Sequence, residues 1–170
     1  LAKLAASIHE KSMFTPGTRL ICLENAYGGR VLPVKYMKKV FDLAHSRNIA
    51  VHLDGARIFN AATALKCDVA EIAACADTVS VCLSKGLCSP VGTVLCGSRD
   101  FIEAARRKRK IMGGGMRQTG VLTACGIISL EKMSKRLEED HENAKILAAG
   151  LAEIPGLVVN ESQRDINIVF

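Results

Sequence analysis

The chain has 170 residues, of which 49% are hydrophobic, and its formal net charge is +6. This length and composition are sufficient for one substantial hydrophobic core. The sequence has no apolar run of about eighteen residues and no basic start followed by an apolar stretch, so it predicts neither a membrane span nor a signal peptide. The basic run at 106–110 has no interleaved aromatic residues, and aromatics make up only 4% of the chain. This favours a solvated helix end over a nucleic-acid interface.

Apolar runs alternate with helical patterns along the chain. In chain order, the predicted elements are a strand at 19–24, a helix at 33–47, a strand at 48–53, a helix at 61–76, strands at 78–83 and 92–96, a helix at 99–111, and a long helix at 119–150 with Ser134 as its candidate break. This alternation predicts an α/β fold whose predominantly parallel sheet has helices on both faces. Residues 157–159 are predicted to be the first strand of a small C-terminal domain. The predicted division is therefore 1–150 and 151–170.

The seven cysteines are scattered singly, without the spacing of a zinc site. Cys82 and Cys96 lie inside strand-like runs. We interpret the cysteines as small buried apolar residues in a reducing compartment, so the expected localisation is cytoplasmic, with an organelle as the alternative. The chain starts at Leu1 rather than at a methionine and ends in the apolar run 166–170. It is therefore expected to be a piece of a longer protein.

Two predicted strands end in the same way. Residues 51–57 read Val-His-Leu-Asp-Gly-Ala-Arg and residues 79–86 read Val-Ser-Val-Cys-Leu-Ser-Lys-Gly, so each apolar run is followed by one charged residue and a glycine. Ligands of open α/β sheets bind beyond the carboxyl ends of the strands. Asp54 and Lys85 would meet there, and they suit pyridoxal 5'-phosphate (PLP), which needs a lysine for covalent attachment and an acid beside its pyridine nitrogen. A turn-forming Asp-Gly pair and a solvent-facing lysine are the alternatives.

Three more residues are candidates for the same site. Arg57 lies three residues after Asp54, and a guanidinium can bind a substrate carboxylate through two hydrogen bonds. Residues 113–118 read Gly-Gly-Gly-Met-Arg-Gln before a helical run, which makes Arg117 a candidate phosphate ligand. His52 shares a strand face with Asp54. It is either a contact of the cofactor or substrate or a hydrogen-bonded, half-buried histidine.

The segments His-Leu-Asp-Gly-Ala-Arg, Ser-Lys-Gly-Leu-Cys-Ser-Pro-Val-Gly and Gly-Gly-Gly-Met-Arg-Gln together resemble the low-specificity L-threonine aldolases. These belong to the aromatic amino acid β-eliminating lyase/threonine aldolase family, and the resemblance runs over residues 20–170. It implies a fold-type I PLP enzyme in which Lys85 attaches the cofactor, Asp54 holds its pyridine nitrogen and Arg57 holds the substrate carboxylate. It also implies a homo-oligomer, a tetramer or a dimer, in which Arg117 reaches a cofactor phosphate across subunits.

The chain departs from the family pattern at a few positions. Residues 24–29 read Glu-Asn-Ala-Tyr-Gly-Gly where the family usually has Glu-Asn-Thr-His, so Tyr27 becomes a candidate substrate contact and the substrate preference stays open. Cys88 stands where the family has a small glycine. The family also supplies a ring that stacks on the cofactor, a second phosphate-binding turn and a further arginine from segments that this sequence does not contain.

The resemblance implies PLP-dependent cleavage of L-threonine or L-allo-threonine to glycine and acetaldehyde, a step of threonine catabolism that forms glycine. The expected partner is therefore a small amino acid, with no role for nucleic acid, membrane or metal. The alternatives are a truncated homologue with weak or no activity and another fold-type I lyase. Because the pocket would be incomplete, the 170-residue chain alone is expected to be inactive.

Overall fold

The computed structural model describes residues 1–160, 162 and 164–170. The described residues form, in chain order, α1 (Ala2–Ala6), β1 (Leu20–Glu24), α2 (Val34–His45), β2 (Ala50–Asp54), α3 (Ile58–Leu65), α4 (Val69–Ala73), β3 (Thr78–Cys82), β4 (Thr93–Cys96), α5 (Arg99–Ile111), α6 (Gly120–Glu131), a 3₁₀ turn (Met133–Arg136) and α7 (Leu137–Ala152). None of these described helices combines the length and the apolar character needed to cross a bilayer.

The four strands form one mixed sheet in the order β1-β2-β3-β4. The first three are parallel, with Glu24 opposite Asp54 and Asp54 opposite Ser80, whereas β4 runs antiparallel to β3. Parallel neighbours need crossover connections. Here α2 connects β1 to β2, and the pair α3 and α4 connects β2 to β3. The predicted α/β class with a predominantly parallel sheet is confirmed.

The two faces of the sheet are covered to different extents. Successive strand residues point to opposite faces, and one set is buried against α2, α3 and α4: Ile21, Val51, Leu53, Val79 and Val81. On the other face Ala50 is exposed, and His52 and Ser80 are half-buried. Burial of each large side chain of the first set stabilises the fold by about 1.5–3 kcal/mol. Helical cover is therefore dense on one face and thin on the other.

The helix predicted at 61–76 is in fact two helices. Lys66 ends α3 in the left-handed conformation, with φ 53°. Asp68 then begins α4, because its carboxylate accepts the Ala70 N–H at 2.7 Å while Glu71 Oε1 accepts the Asp68 N–H at 3.1 Å. Such a capping box stabilises a helix start by about 1 kcal/mol. The prediction of a single helix was wrong, because the capping box at Asp68 stabilises the start of a second helix, α4.

The break predicted near Ser134 is confirmed. A 3₁₀ turn separates α6 from α7, and the Ser134 hydroxyl donates to the Leu130 carbonyl at 2.6 Å. The strand predicted at 157–159 is wrong, since these residues take no strand conformation and Val158 is 92% exposed. A strand needs a neighbour for its backbone hydrogen bonds, and the described residues offer none there. The division into 1–150 and 151–170 stays a prediction.

The cysteines differ from the expectation in their burial. All seven are free thiols, but only Cys75 is buried, and Cys22, Cys88 and Cys96 are exposed. The interpretation as buried apolar residues is therefore wrong for these three. Cys22 lies on the thinly covered face of the sheet, and every residue of β4, which carries Cys96, is exposed.

Candidate active site

Asp54 and Lys85 lie beyond the ends of two neighbouring parallel strands. Asp54 is the last residue of β2, and Lys85 follows the end of β3 at Cys82. The Gly55 N–H donates to the Ser80 carbonyl at 2.8 Å, so the two strands stay paired up to this point. We call this side of the sheet the carboxyl edge; it is where open α/β sheets bind ligands. The structure brings both residues to one edge, and their roles as cofactor ligands stay predictions.

The Asp54 carboxylate is held in a fixed orientation. Its Oδ1 accepts the Ala56 N–H at 3.0 Å, which is the turn that the Asp-Gly alternative predicted. Its backbone carbonyl accepts the Asn25 N–H at 3.0 Å, which connects it to the segment after β1. Among the described residues no hydrogen bond reaches Oδ2. The turn therefore orients the carboxylate and leaves one oxygen for a ligand.

Lys85 lies in a tight turn whose two flanks are buried. The Cys88 N–H donates to the Lys85 carbonyl at 2.8 Å, and the Ser89 N–H donates to the Leu83 carbonyl at 2.9 Å. Leu83 and Leu87 are buried against the start of α7. The Lys85 side chain itself is exposed. Its backbone is thus anchored on both sides while its amine faces solvent, as covalent attachment of a ligand requires.

Side chains of α7 lie close to the glycine after Lys85. A Cβ on Gly86 would lie 3.0 Å from Leu137 Cδ2 and 3.4 Å from Asp140 Oδ2. Asp140 is itself held by the Arg136 guanidinium at 3.4 Å. A Cβ at position 86 would therefore require these side chains to shift by a few tenths of an ångström.

Cys82 is the titratable group beside Lys85. Burial raises the pKa of its thiol, but the hydrogen bond to Ser84, at 3.3 Å from Sγ to Oγ, and the charge of Lys85 act in the opposite direction and leave the pKa below its ordinary value. A cationic, hydrogen-bonding environment that stabilises a thiolate also suits other anions. The electrostatics of the turn therefore favour an anionic ligand.

The structure places the other predicted site residues in different segments of the chain. Arg57 is half-buried and immediately precedes α3, three residues beyond β2. Tyr27 lies in a hairpin just after β1 and is 69% exposed. His52 lies within β2, half-buried, with Nδ1 2.8 Å from Thr78 Oγ1, which matches the hydrogen-bonded alternative. Arg117 is exposed in the loop before α6, and no hydrogen bond or ion pair of the described residues joins it to Lys85.

Sequence reasoning missed the side chain that holds the Tyr27 hairpin. Asn25 is fully buried, its Oδ1 accepts the Leu32 N–H at 3.1 Å, and its amide donates to the Leu32 carbonyl at 3.1 Å. The only signal was a polar residue between a strand and a glycine turn. The sequence also gave no sign of the buried contact between Asn60 in α3 and His141 in α7, where the Asn60 amide nitrogen lies 3.2 Å from Nε2.

The residues at the carboxyl edge fit PLP. Lys85 supplies an exposed amine, Asp54 supplies an oriented carboxylate with one oxygen without a partner among the described residues, and Arg57 adds a guanidinium three residues away in the chain. An amine for covalent attachment, an acid for a ring nitrogen and a cation for a carboxylate are the groups that PLP chemistry with an amino acid uses.

Comparisons with known proteins identify the family of the chain. The model of the beta-eliminating lyase family matches residues 1–170. Low-specificity L-threonine aldolase 1 of Arabidopsis thaliana is 48% identical over 162 residues, which are 94% of this chain and 45% of that protein. The low specificity L-threonine aldolase of Escherichia coli (strain K12) is 45% identical over 170 residues, which are 100% of this chain and 50% of that protein.

A solved structure gives the same result for the fold. The crystal structure of a candidate L-allo-threonine aldolase of Listeria monocytogenes superposes with a TM-score of 0.81 at 25% identity, covering 99% of this chain and 46% of that one. This chain spans about half the length of the curated relatives it matches. The resemblance carried by the three motifs is confirmed, and the chain belongs to the beta-eliminating lyase family.

Proposed function

We propose that the protein is a PLP-dependent carbon–carbon lyase that cleaves L-threonine and L-allo-threonine to glycine and acetaldehyde, as a cytoplasmic step of threonine catabolism. One observation carries the proposal: β2 and β3, as parallel neighbours, bring Asp54 and Lys85 to the same edge of the sheet. The similarity to low-specificity L-threonine aldolases supports the choice of substrate. The seven free thiols support a reducing compartment.

Each residue at the edge has a separate task in this proposal. Bound PLP supplies an electron sink for the electron pair of the Cα–Cβ bond. Lys85 would hold the cofactor through Nζ, and the Asp54 carboxylate would hold its protonated pyridine nitrogen. Arg57 binds the α-carboxylate of the substrate, so that the substrate lies in one orientation.

The reaction also moves two protons. The β-hydroxyl loses one as acetaldehyde forms, and Cα gains one as glycine forms. His52 already shares a hydrogen bond with Thr78, whereas the Tyr27 ring is largely exposed and lies two residues after Asn25, whose N–H donates to the Asp54 carbonyl. We therefore assign the substrate contact to Tyr27 and expect it to hold the water that accepts the hydroxyl proton.

A homo-oligomer, a tetramer or a dimer, completes the proposal. Arg117 lies in an exposed loop, flanked by Met112 and Met116, which are 84% and 64% exposed. Exposed apolar side chains around a cation are typical of a surface that contacts another subunit. In that arrangement Arg117 reaches the cofactor phosphate of the neighbouring subunit.

The test is the identity of the lysine that binds the cofactor. In a protein spanning the full length of the relatives, added PLP should give a yellow absorbance band that borohydride bleaches, and mass spectrometry should place the reduced adduct on Lys85. Lys85→Ala should lose the adduct and all measurable release of acetaldehyde from L-threonine. Lys66→Ala is the matched control, since it removes a lysine at the end of α3 and should keep both. An adduct on Lys66 or Lys110 in the unaltered protein would show that the site is wrongly assigned.

A further inference from the structure

The C-terminal residues 164–170, which we call the strap, contact the hairpin that carries Tyr27. The Asp165 N–H donates to the Gly29 carbonyl at 2.8 Å. The Asp165 carboxylate accepts the Val31 N–H through Oδ2 at 2.9 Å. One residue of the strap thus forms two hydrogen bonds, on either side of Arg30, with a segment that lies 134 positions away in the sequence.

The hairpin is a compact unit held by its own hydrogen bonds. Tyr27 and Arg30 exchange both backbone hydrogen bonds at 2.9 Å. Gly28 and Gly29 form the turn between them at φ 54° and 80°, in the left-handed region that glycine tolerates. Asn25 holds the hairpin from the side of the core, and Asp165 holds it from the side of the strap. The position of Tyr27 therefore depends on both.

The same strap lies against the turn that carries Lys85. A Cβ on Gly86 would lie 3.5 Å from Asn167 Nδ2, so the Asn167 amide lies near the residue directly after Lys85. Ile166, between the two contact residues, is 1% exposed. Within the described residues, the buried Oδ1 of Asn167 has no hydrogen-bond partner. A buried acceptor without a donor lowers stability.

The strap also contacts α7. The Arg164 guanidinium donates to the Lys145 carbonyl of α7 at 3.2 Å. The Asn160 N–H donates to the Phe170 carbonyl at 3.0 Å, which closes the segment on itself. With Ile166 buried between these two attachments, the strap is fixed along its length.

The geometry of the sheet shows why such a link matters. β1 and β3 are not neighbours, since β2 lies between them, and they are separated by about 10 Å, or two strand spacings. Beyond Asp54 and Ser80 the pairing of β2 with its two parallel neighbours ends, so strand pairing does not connect the Tyr27 hairpin to the Lys85 turn. A displacement of about 1 Å at a reacting group can reduce a rate by about a hundredfold.

We propose that the strap sets the spacing between the Tyr27 hairpin and the Lys85 turn, with Asp165 and Asn167 as positioning residues for the reaction proposed above. Neither residue touches substrate. Asp165 fixes the hairpin through two hydrogen bonds, and Asn167 fixes the turn by packing over Gly86. The kinetic consequence rests on the proposed function, whereas the structural consequence does not.

The structural arm uses the two tyrosines of the chain, Tyr27 in the hairpin and Tyr36 in α2. With 3-fluorotyrosine incorporated in the 170-residue chain, Asp165→Ala should shift or broaden the ¹⁹F resonance of Tyr27 and leave that of Tyr36 unchanged. Asp165→Asn, which keeps an acceptor oxygen, should restore the original resonance. Asp100→Ala, which removes an exposed carboxylate of α5, is the matched control. An unchanged Tyr27 resonance in Asp165→Ala would overturn the role of Asp165.

The kinetic arm uses a protein that spans the full length of the relatives. Asp165→Ala and Asn167→Ala should each lower kcat for threonine by about 10- to 100-fold, with KM and the borohydride-reducible Lys85 adduct retained. If Asp165→Ala does not fold, Asp165→Asn and Asn167→Ala carry the test, with kcat preserved in the first and lowered in the second. Unchanged kcat in Asn167→Ala overturns the proposal. Absence of threonine cleavage in the unaltered protein would reject the proposed function and leave the ¹⁹F result standing.

Discussion

Ser89 shows that a residue of the Lys85 turn can carry a stability cost. It is 5% exposed, and within the described part of the chain its hydroxyl oxygen is buried with no hydrogen-bond partner. Leaving a hydroxyl without a partner in a buried place costs about 1–3 kcal/mol. The backbone N–H of Ser89 has a hydrogen-bond partner, since it donates to the Leu83 carbonyl. The cost therefore comes from the side chain alone.

We expect Ser89→Ala to keep or raise the free energy of unfolding, by up to about 1 kcal/mol, because it removes a buried polar atom without removing a hydrogen bond. Urea unfolding of the two proteins measures the difference. Ser98→Ala is the matched control. The Ser98 hydroxyl accepts the Phe101 N–H at 3.3 Å and caps α5, so its loss should lower the free energy of unfolding by about 1 kcal/mol. A loss above about 1 kcal/mol in Ser89→Ala would contradict the expectation.

At the scale of elements, a buried polar contact joins α3 to α7. His141 is 8% exposed, and the Asn60 amide donates to its Nε2 at 3.2 Å. Burial lowers the pKa of His141, and Lys145 lowers it further against the opposing charges of Asp140 and Glu138. At pH 7 the ring is therefore neutral in the folded protein and accepts the hydrogen bond from Asn60. A protonated ring would place two donors face to face.

This contact predicts a pH dependence of stability. The pKa of His141 is lower in the folded than in the unfolded chain, so the unfolded chain binds the proton first. The contribution of His141 to the free energy of unfolding is complete above the ordinary histidine pKa of about 6.5. It falls as the pH drops below that value. His141→Gln keeps an acceptor for Asn60 but does not titrate. We therefore expect it to reduce the loss in free energy of unfolding between pH 7 and pH 5.

Urea unfolding at several pH values measures this slope. His9→Gln, at an exposed position, is the control and should leave the slope unchanged. Equal slopes for His141→Gln and the unaltered protein would show that His141 is not responsible.

The elements also show what the sequence could and could not predict. Each of the four strands lies within two residues of its predicted bounds, because an apolar run bounded by charged or turn residues has few other structures. The helix predicted at 61–76 failed at Lys66, where a lysine takes a left-handed conformation usually left to glycine. The local hydrophobic pattern of the sequence gives no signal for this conformation of Lys66.

The same distinction applies to the site. Asp54 and Lys85 could be predicted because Asp54 ends one strand, Lys85 follows the end of the next, and the ends of parallel strands converge at one edge. Asn25, Asp165 and Asn167 could not, because their partners are chosen by tertiary contacts. The hydrogen bond from Val31 to Asp165 joins residues 134 positions apart, and no periodicity in the sequence relates two such segments.

For the whole molecule, we expect the 170-residue chain alone to release no measurable acetaldehyde from L-threonine, while a protein spanning the full length of the relatives does. Arg57 would hold the carboxylate, but Arg117 lies in an exposed loop, and a substrate fixed at one end loses the alignment on which the rate depends. A coupled assay with aldehyde dehydrogenase measures both proteins under the same conditions. Comparable rates would show that the additional length contributes little to the site.

The outer strands of the sheet have a consequence for handling the molecule. Among the described residues, β1 and β4 each have a neighbour on one side only. On β4, Val94 and Leu95 are each 39% exposed, and neither strand contains a proline. Unpaired edge strands of this kind can pair with a strand from another molecule and so begin aggregation. Refolding at high concentration should therefore compete with intermolecular strand pairing, and a charged substitution such as Val94→Lys, placed on the exposed β4, should raise the yield of monodisperse protein.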